Sequence, residues 1–233
     1  MAPITRSTTS IFHIGKLNFS QLIANAKTQF NHIRFTLFVS GALALVAVLG
    51  VYSISMVGNI PLGELTRDPA AISDTPFYFG LLTYIDIMLW AAVTSICLMG
   101  AIMVGGDLEF RRTRLFFMFG AAFNLFLMLD DAFLLHETVF PKLGIHEKLI
   151  MLSYLVFIIG YIYYFMPEIQ SSDYLLLGLA MGFLGISMGM DKFLPLSNLE
   201  TFVEDSFKLF GIVFWLVYFA RTVVNTVQSR FVH

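Results

Sequence analysis

Residues 115–138 read LFFMFGAAFNLFLMLDDAFLLHET, and this stretch decides the fold. From Leu115 to Leu129 only Asn124 is polar, and then Asp130, Asp131, His136 and Glu137 crowd the far end. An unbroken apolar run of this kind suits a helix in hydrocarbon, where every backbone group must be satisfied within the segment. The acids at its end need water, a partner or a purpose, because a central Asp costs about 2.5–3.5 kcal/mol on insertion scales.

Working outward, five more apolar runs occur at 35–57, 76–104, 147–166, 174–194 and 202–224. Prolines punctuate them: Pro61 and Pro69 lie in the first loop, Pro76 opens a run, and Pro141, Pro167 and Pro195 follow the ends of three others. The 233 residues are 58% hydrophobic and only 13% charged, where a soluble domain carries about 25% charged residues. The expectation is an all-α integral membrane protein, a six-helix transmembrane bundle over 35–224. It is flanked by a cytoplasmic arm, 1–34, and a cytoplasmic tail, 225–233. A net charge of −2 gives no footprint for nucleic acid. The single cysteine, Cys97, sits in an apolar run and reads as packing. No cleavable signal peptide is expected ahead of Phe35.

In the arm, Phe19, Leu22, Ile23, Ala26, Phe30 and Ile33 repeat at three- and four-residue spacing. The pattern predicts an amphipathic helix over 18–33 on the inner membrane surface, or docked on another subunit, with Asn18 and Gln21 at its cap. In the fifth run Gly178, Gly182, Gly185 and Gly189 form a stripe expected to admit a neighbouring helix.

Basic residues set the orientation. Arg6, Lys16, Lys27 and Arg34, then Arg111, Arg112 and Arg114, then Arg221 and Arg230 fall on one side, against Arg67, Lys142 and Lys148 on the other. Both termini are therefore expected in the cytoplasm, which puts Asp86, Asp130, Asp131, His136, Glu137, His146, Glu147, Asp191, Glu204 and Asp205 in the outer half of the bilayer or at its edge. Eight carboxylates against Lys148, Lys192 and Lys208 leave a formal −5 there, with both histidines neutral.

Two imidazoles and surplus carboxylate suit a divalent cation, zinc by preference, with iron or manganese as alternatives. On a continuous helix Asp130 and Glu137 share a face while Asp131 and His136 flank it, so several helices must contribute. The expected metal ligands are drawn from Asp131, His136, His146, Glu204, Asp205 and Asp191, with Asp130, Glu137 and Lys208 as catalytic groups. Bland readings stand beside these. Glu204, three residues after Thr201, fits a capping box, Glu147 fits a first helical turn, the histidines can be solvated, and Lys192 can snorkel.

The string LDDAFLLHE at 129–137, a second HE at 146–147, PLGELTRDPAA in the first loop and EDSFKLFGIVFW at 204–215 together resemble an uncharacterised family of bacterial multipass membrane proteins. That resemblance implies a bacterial inner-membrane location and names no reaction. A weaker resemblance, to the alkaline-ceramidase-like membrane hydrolases, implies a zinc ion among the helices. It departs from that pattern in having six runs rather than seven spans and no histidine on the last. Motifs for serine hydrolases, zincins, nucleotide triphosphatases and dinucleotide enzymes are absent. The leading expectation is a metal-dependent enzyme, a hydrolase acting on a membrane lipid or hydrophobic substrate at the outer leaflet. The alternatives are a non-catalytic subunit of a larger membrane complex or a homo-oligomer, and a proton- or cation-coupled transporter.

The orientation is testable by cysteine labelling from outside intact cells in a Cys97→Ala background. A cysteine at position 73 should react with an impermeant probe and one at position 113 should not; the reverse pattern inverts the topology.

Overall fold

A computed structural model describes residues 19–67, 69–76, 78–106, 108–193 and 198–231. Every regular element among them is helical. Five helices are long and apolar enough to cross a membrane, at Ile33–Gly58, Leu81–Val104, Leu108–Phe133, Glu147–Tyr164 and Leu199–Ser229. The remaining apolar helix, the fifth run of the sequence, has a shorter apolar stretch, Tyr174–Met190. At 1.5 Å per residue that is about 25 Å, less than the roughly 30 Å of hydrocarbon. Asp191 and Lys192 end it.

The chain divides into two compact units, 1–77 and 78–233. In the first, helix α1 runs from Phe19 to Gly58 without a break. The amphipathic segment of the arm is thus continuous with the first apolar run instead of forming a separate helix; residues 1–18 lie outside the described residues. Asn59, at φ 51°, ends α1 in the left-handed conformation. The Ser55 hydroxyl donates to the Ile60 carbonyl at 2.7 Å and closes the turn. Short helices α2, Leu62–Thr66, and α3, Pro69–Ser73, follow.

The second unit contains α4, Leu81–Val104, and α5, Arg111–Phe133, joined through a 3-10 turn at Leu108–Phe110. After α5 a π-helical turn, Leu135–Val139, leads into α6, Phe140–Lys142, and α7, Glu147–Tyr164. Then come α8, Met166–Gln170, α9, Tyr174–Phe193, and α10, Asn198–Phe231. Its core is aromatic: Phe116 and Phe117 of α5, Phe165, and Trp215, Tyr218 and Phe219 of α10 are buried. Phe116 stacks on Phe219 at 5.8 Å and meets Phe165 edge-on at 5.5 Å. Large apolar side chains such as Met88, Ile102, Leu152 and Val156 remain exposed, as lipid-facing positions require.

Helices approach closely at glycines other than the expected stripe. A Cβ at Gly100 would fall 2.6 Å from Val223, and one at Gly120 would meet Phe219 and the Tyr161 hydroxyl at 3.2 Å. At Gly211 it would meet the Leu184 side chain at 2.6 Å and the Leu184 backbone nitrogen at 3.0 Å. Gly100 and Gly211 lie at the α4/α10 and α9/α10 contacts, and Gly120 lies against Phe219 of α10 and Tyr161 of α7. At Gly178, Gly182, Gly185 and Gly189 an added Cβ would touch nothing within 4 Å. The stripe therefore does not seat a neighbour among the described residues, because α9 packs on α10 through Ala180, Phe183 and Leu184 instead.

Gly211→Ala should therefore lower the thermal midpoint in detergent, with overpacking costing about 1–3 kcal/mol. Gly182→Ala should leave it unchanged or raise it. Equal losses at the two positions would contradict this packing.

Candidate functional site

The polar residues at the Asp130 end of α5 assemble into two groups, and the separation begins in the backbone. On a continuous helix Asp130 and His136 lie about 9 Å apart along the axis and about 120° apart around it. Helix α5 instead stops at Phe133, where Leu134 takes φ 50° and ψ 46°. A left-handed leucine costs about 1–2 kcal/mol. The π-helical turn that follows brings His136 back over the end of α5. The sequence reading expected the helix to continue to 138; the left-handed Leu134 replaces that geometry.

In the first group Asp130, 3% exposed, grips His136 twice. Its Oδ1 accepts the His136 backbone N–H at 2.8 Å and its Oδ2 meets the ring Nδ1 at 2.7 Å. A carboxylate only accepts, so Nδ1 carries the hydrogen and Nε2 is the nitrogen away from Asp130. Glu137, largely exposed, lies 3.5 Å from Nε2 through Oε1. The buried Tyr154 hydroxyl of α7 is beside Asp130 but forms no hydrogen bond in this geometry. The hydrogen bond from Asp130 raises the His136 imidazole above its ordinary pKa of 6.5, against the opposing effect of burial.

The second group joins α4, α5 and α10. The Lys208 ammonium lies 2.9 Å from Asp131 Oδ1 and 3.9 Å from Asp86 Oδ2. Asp131 Oδ2 accepts from the Trp90 indole at 3.0 Å. Asp205, half-buried on α10, is within electrostatic reach of Asp86, Asp131 and Lys208. Asp86 is 2% exposed and its Oδ1 has no hydrogen-bond partner. It lies five residues into α4, about 7.5 Å from the helix start, shallower than the position the longer run 76–104 implied.

One helical repeat deeper is a neutral polar layer. The Trp215 indole donates to Asn124 Oδ1 at 2.8 Å, and Asn124 Nδ2 approaches Cys97 Sγ at 3.8 Å. Trp90 and Trp215 meet edge to face at 6.4 Å and link the layers. Burial raises the cost of any unpaired polar group, and Asn124 engages both its neighbours.

The structure thus brings together Asp130, His136 and Glu137, and separately Asp86, Asp131, Asp205 and Lys208. His146 stands exposed before α7 and Glu147 exposed in its first turn, and the two are joined to neither group. Glu204 is half-buried on α10. The Asp191 side chain lies outside the described residues. Among the described residues no three His, Cys, Asp or Glu side chains gather as a ligand set for a metal ion. The physical reason is that all four oxygens of Asp130 and Asp131 already hold His136, Lys208 and Trp90. Lys208, expected as a catalytic group, reaches across to Asp131 and Asp86. Trp90, Asn124, Tyr154 and Trp215 were not singled out by the sequence. For Asn124, Trp90 and Trp215 the signal was spacing, and Tyr154 had none: Asn124 precedes Asp131 by seven residues, Trp90 precedes Cys97 by seven, and Lys208 precedes Trp215 by seven.

Fold and site together define an all-helical protein of the membrane class, with ion-paired carboxylates inside its helices. The chain belongs to the family described as a domain of unknown function, DUF8692, which matches residues 37–222. No curated protein and no solved structure matches the chain.

The raised His136 pKa has a pH consequence. Protonated His136 is favoured in the folded state, so its contribution to stability is fully present below pH 6.5 and is lost as pH rises through the raised folded value. Thermal midpoints in detergent should fall across that window in the wild type and not in His136→Gln. An identical pH profile for both proteins would show that the Asp130 contact does not act through protonation.

Proposed function

We propose that this chain is a membrane-embedded enzyme, a hydrolase whose general base is His136 held by Asp130, acting on a lipid or other hydrophobic substrate at the outer leaflet. The observation that carries the reading is the double grip of Asp130 on the ring and on the backbone N–H of His136, at 2.7 and 2.8 Å. It fixes the tautomer and leaves Nε2 on the far side of the ring from Asp130, the arrangement a general base needs. In the proposed step Nε2 takes a proton from water, the hydroxide adds to an ester or amide carbonyl, and the imidazolium returns the proton to the leaving group. The same arrangement would also present Nε2 to a divalent ion such as zinc, because a carboxylate on the far nitrogen orients metal-bound histidines. The base alone is favoured, since further ligands are not gathered around it.

The reading includes six spans, α9 being the sixth, an interfacial face on the arm, and both termini in the cytoplasm of a bacterial inner membrane. A second reading, a non-catalytic subunit of a membrane complex, is favoured by one fact: Asp130 and Asp131 both spend their oxygens on internal partners. In that case the charges serve assembly and fold.

Purified protein in vesicles of bacterial lipid should release fatty acid or headgroup, followed by mass spectrometry. Asp130→Asn and His136→Gln should lose at least about 100-fold in turnover, the usual scale of a general base, while keeping the helical circular-dichroism spectrum. Wild-type protein that turns over no lipid, and co-purifies with a stoichiometric partner instead, would replace the enzyme reading with the subunit reading.

A further inference from the structure

The Asp86 carboxyl is not used by the acid–base pair of Asp130 and His136, and its Oδ1 is buried without a hydrogen-bond partner among the described residues. Its side chain is 2% exposed, with Oδ1 unpartnered and Oδ2 3.9 Å from an ammonium that gives its short contact, 2.9 Å, to Asp131. We infer that Asp86 is a proton-binding site: its Oδ1 holds an exchangeable proton, taken up from and released to water that reaches Lys208.

The argument is one of charge and space. The groups that face Asp86 are Asp131 from α5 and Lys208 and Asp205 from α10. One ammonium cannot balance that many carboxylates in a low-dielectric interior, and a charge left buried without a partner is strongly disfavoured. Either a proton or a metal cation must make up the difference. Lys208 already stands where a cation would sit between Asp86 and Asp131, and a second positive ion there would be repelled. A sodium ion would also need several oxygens, and both oxygens of Asp131 are engaged by Lys208 and Trp90. A proton needs only the free lone pair of Oδ1. Exchange is open because the Lys208 side chain is 28% exposed while Asp131 is 10% exposed. The Lys208 side chain is thus the more exposed neighbour of the buried Asp86, 3.9 Å from its Oδ2.

The inference does not depend on the hydrolase reading, since neither Asp130 nor His136 takes part. A hydrophobic carbodiimide offers a direct test on the full chain in lipid vesicles. The carboxylic proton moves to a carbodiimide nitrogen, the carboxylate oxygen adds to the central carbon, and an acyl shift from oxygen to nitrogen gives a stable N-acylurea with nothing released. Peptide mass spectrometry should find the adduct on Asp86, decreasing several-fold as the medium is made alkaline. Infrared spectroscopy should show a protonated-carboxyl C=O band in the wild type that is lost in Asp86→Asn, a variant that should fold because its amide mimics the neutral acid. A wild type with neither adduct nor band would overturn the inference. So would loss of both signals on adding sodium at constant pH, which would assign the site to a cation instead.

Discussion

One ammonium holds the Asp130 end of this bundle together. Lys208 bridges α10 to α5 through Asp131 and faces α4 through Asp86, so a single cation sits among three helices that have no hydrophobic drive to associate in lipid. Its removal would leave Asp131 without its short ionic contact, and breaking a buried pair from one side costs about 3–5 kcal/mol. The Trp90 indole adds a neutral donor to the same carboxylate and so ties α4 to α5 even where the Asp86 contact is long. Charge and aromatic packing thus act at one level of the bundle.

The deeper level repeats the arrangement without charge. Cys97, Asn124 and Trp215 stand one step inward from Trp90, Asp131 and Lys208, each seven residues along its own helix. Seven residues advance a helix by about 10 Å and return it to nearly the same face. The three helices therefore contact along one stripe each. Gly100, Gly120 and Gly211 let those stripes close, since a methyl group at any of them would press on Val223, Phe219 or Leu184.

Much of this was legible in the sequence. Composition and run length identified the apolar helices, and the crowding of acids at one end of several runs identified where the polar site lies. The partners within the polar set stayed open, because residue type and proximity to a span end do not reveal which side chains face each other. Asp131 and Lys208 are 77 positions apart, and only packing joins them. The glycine stripe of α9 misled for the same reason: small residues permit a close approach but do not say that a neighbour takes it. Leu134 was illegible in a different way. Leucine carries no signal for a left-handed turn, so a continuous helix to 138 was the natural reading, and the pairing of Asp130 with His136 could not be seen from it. The seven-residue spacing of polar and aromatic positions was present throughout and is the pattern that would have selected Asn124, Trp90 and Trp215.

The adjacency of Asp130 and Asp131 explains why one short motif serves two ends. Neighbouring residues on a helix diverge by about 100°, so Asp131 turns inward to Lys208 and Trp90 while Asp130 turns toward α7 and the returning His136. The helix must stop soon after them, because a further turn of α5 would carry His136 away from Asp130. The backbone strain at Leu134 is the cost of stopping there, and the two hydrogen bonds that Asp130 accepts from His136 offset it. Asp131 fixes α5 against α4 and α10, and Asp130 uses that fixed point to aim an imidazole. A change that frees Asp131 would therefore loosen the aim of His136 without touching it, whereas a change at His136 leaves the Lys208 bridge in place. The dependence runs in one direction, from the ion pair in the bundle to the acid–base pair at its edge.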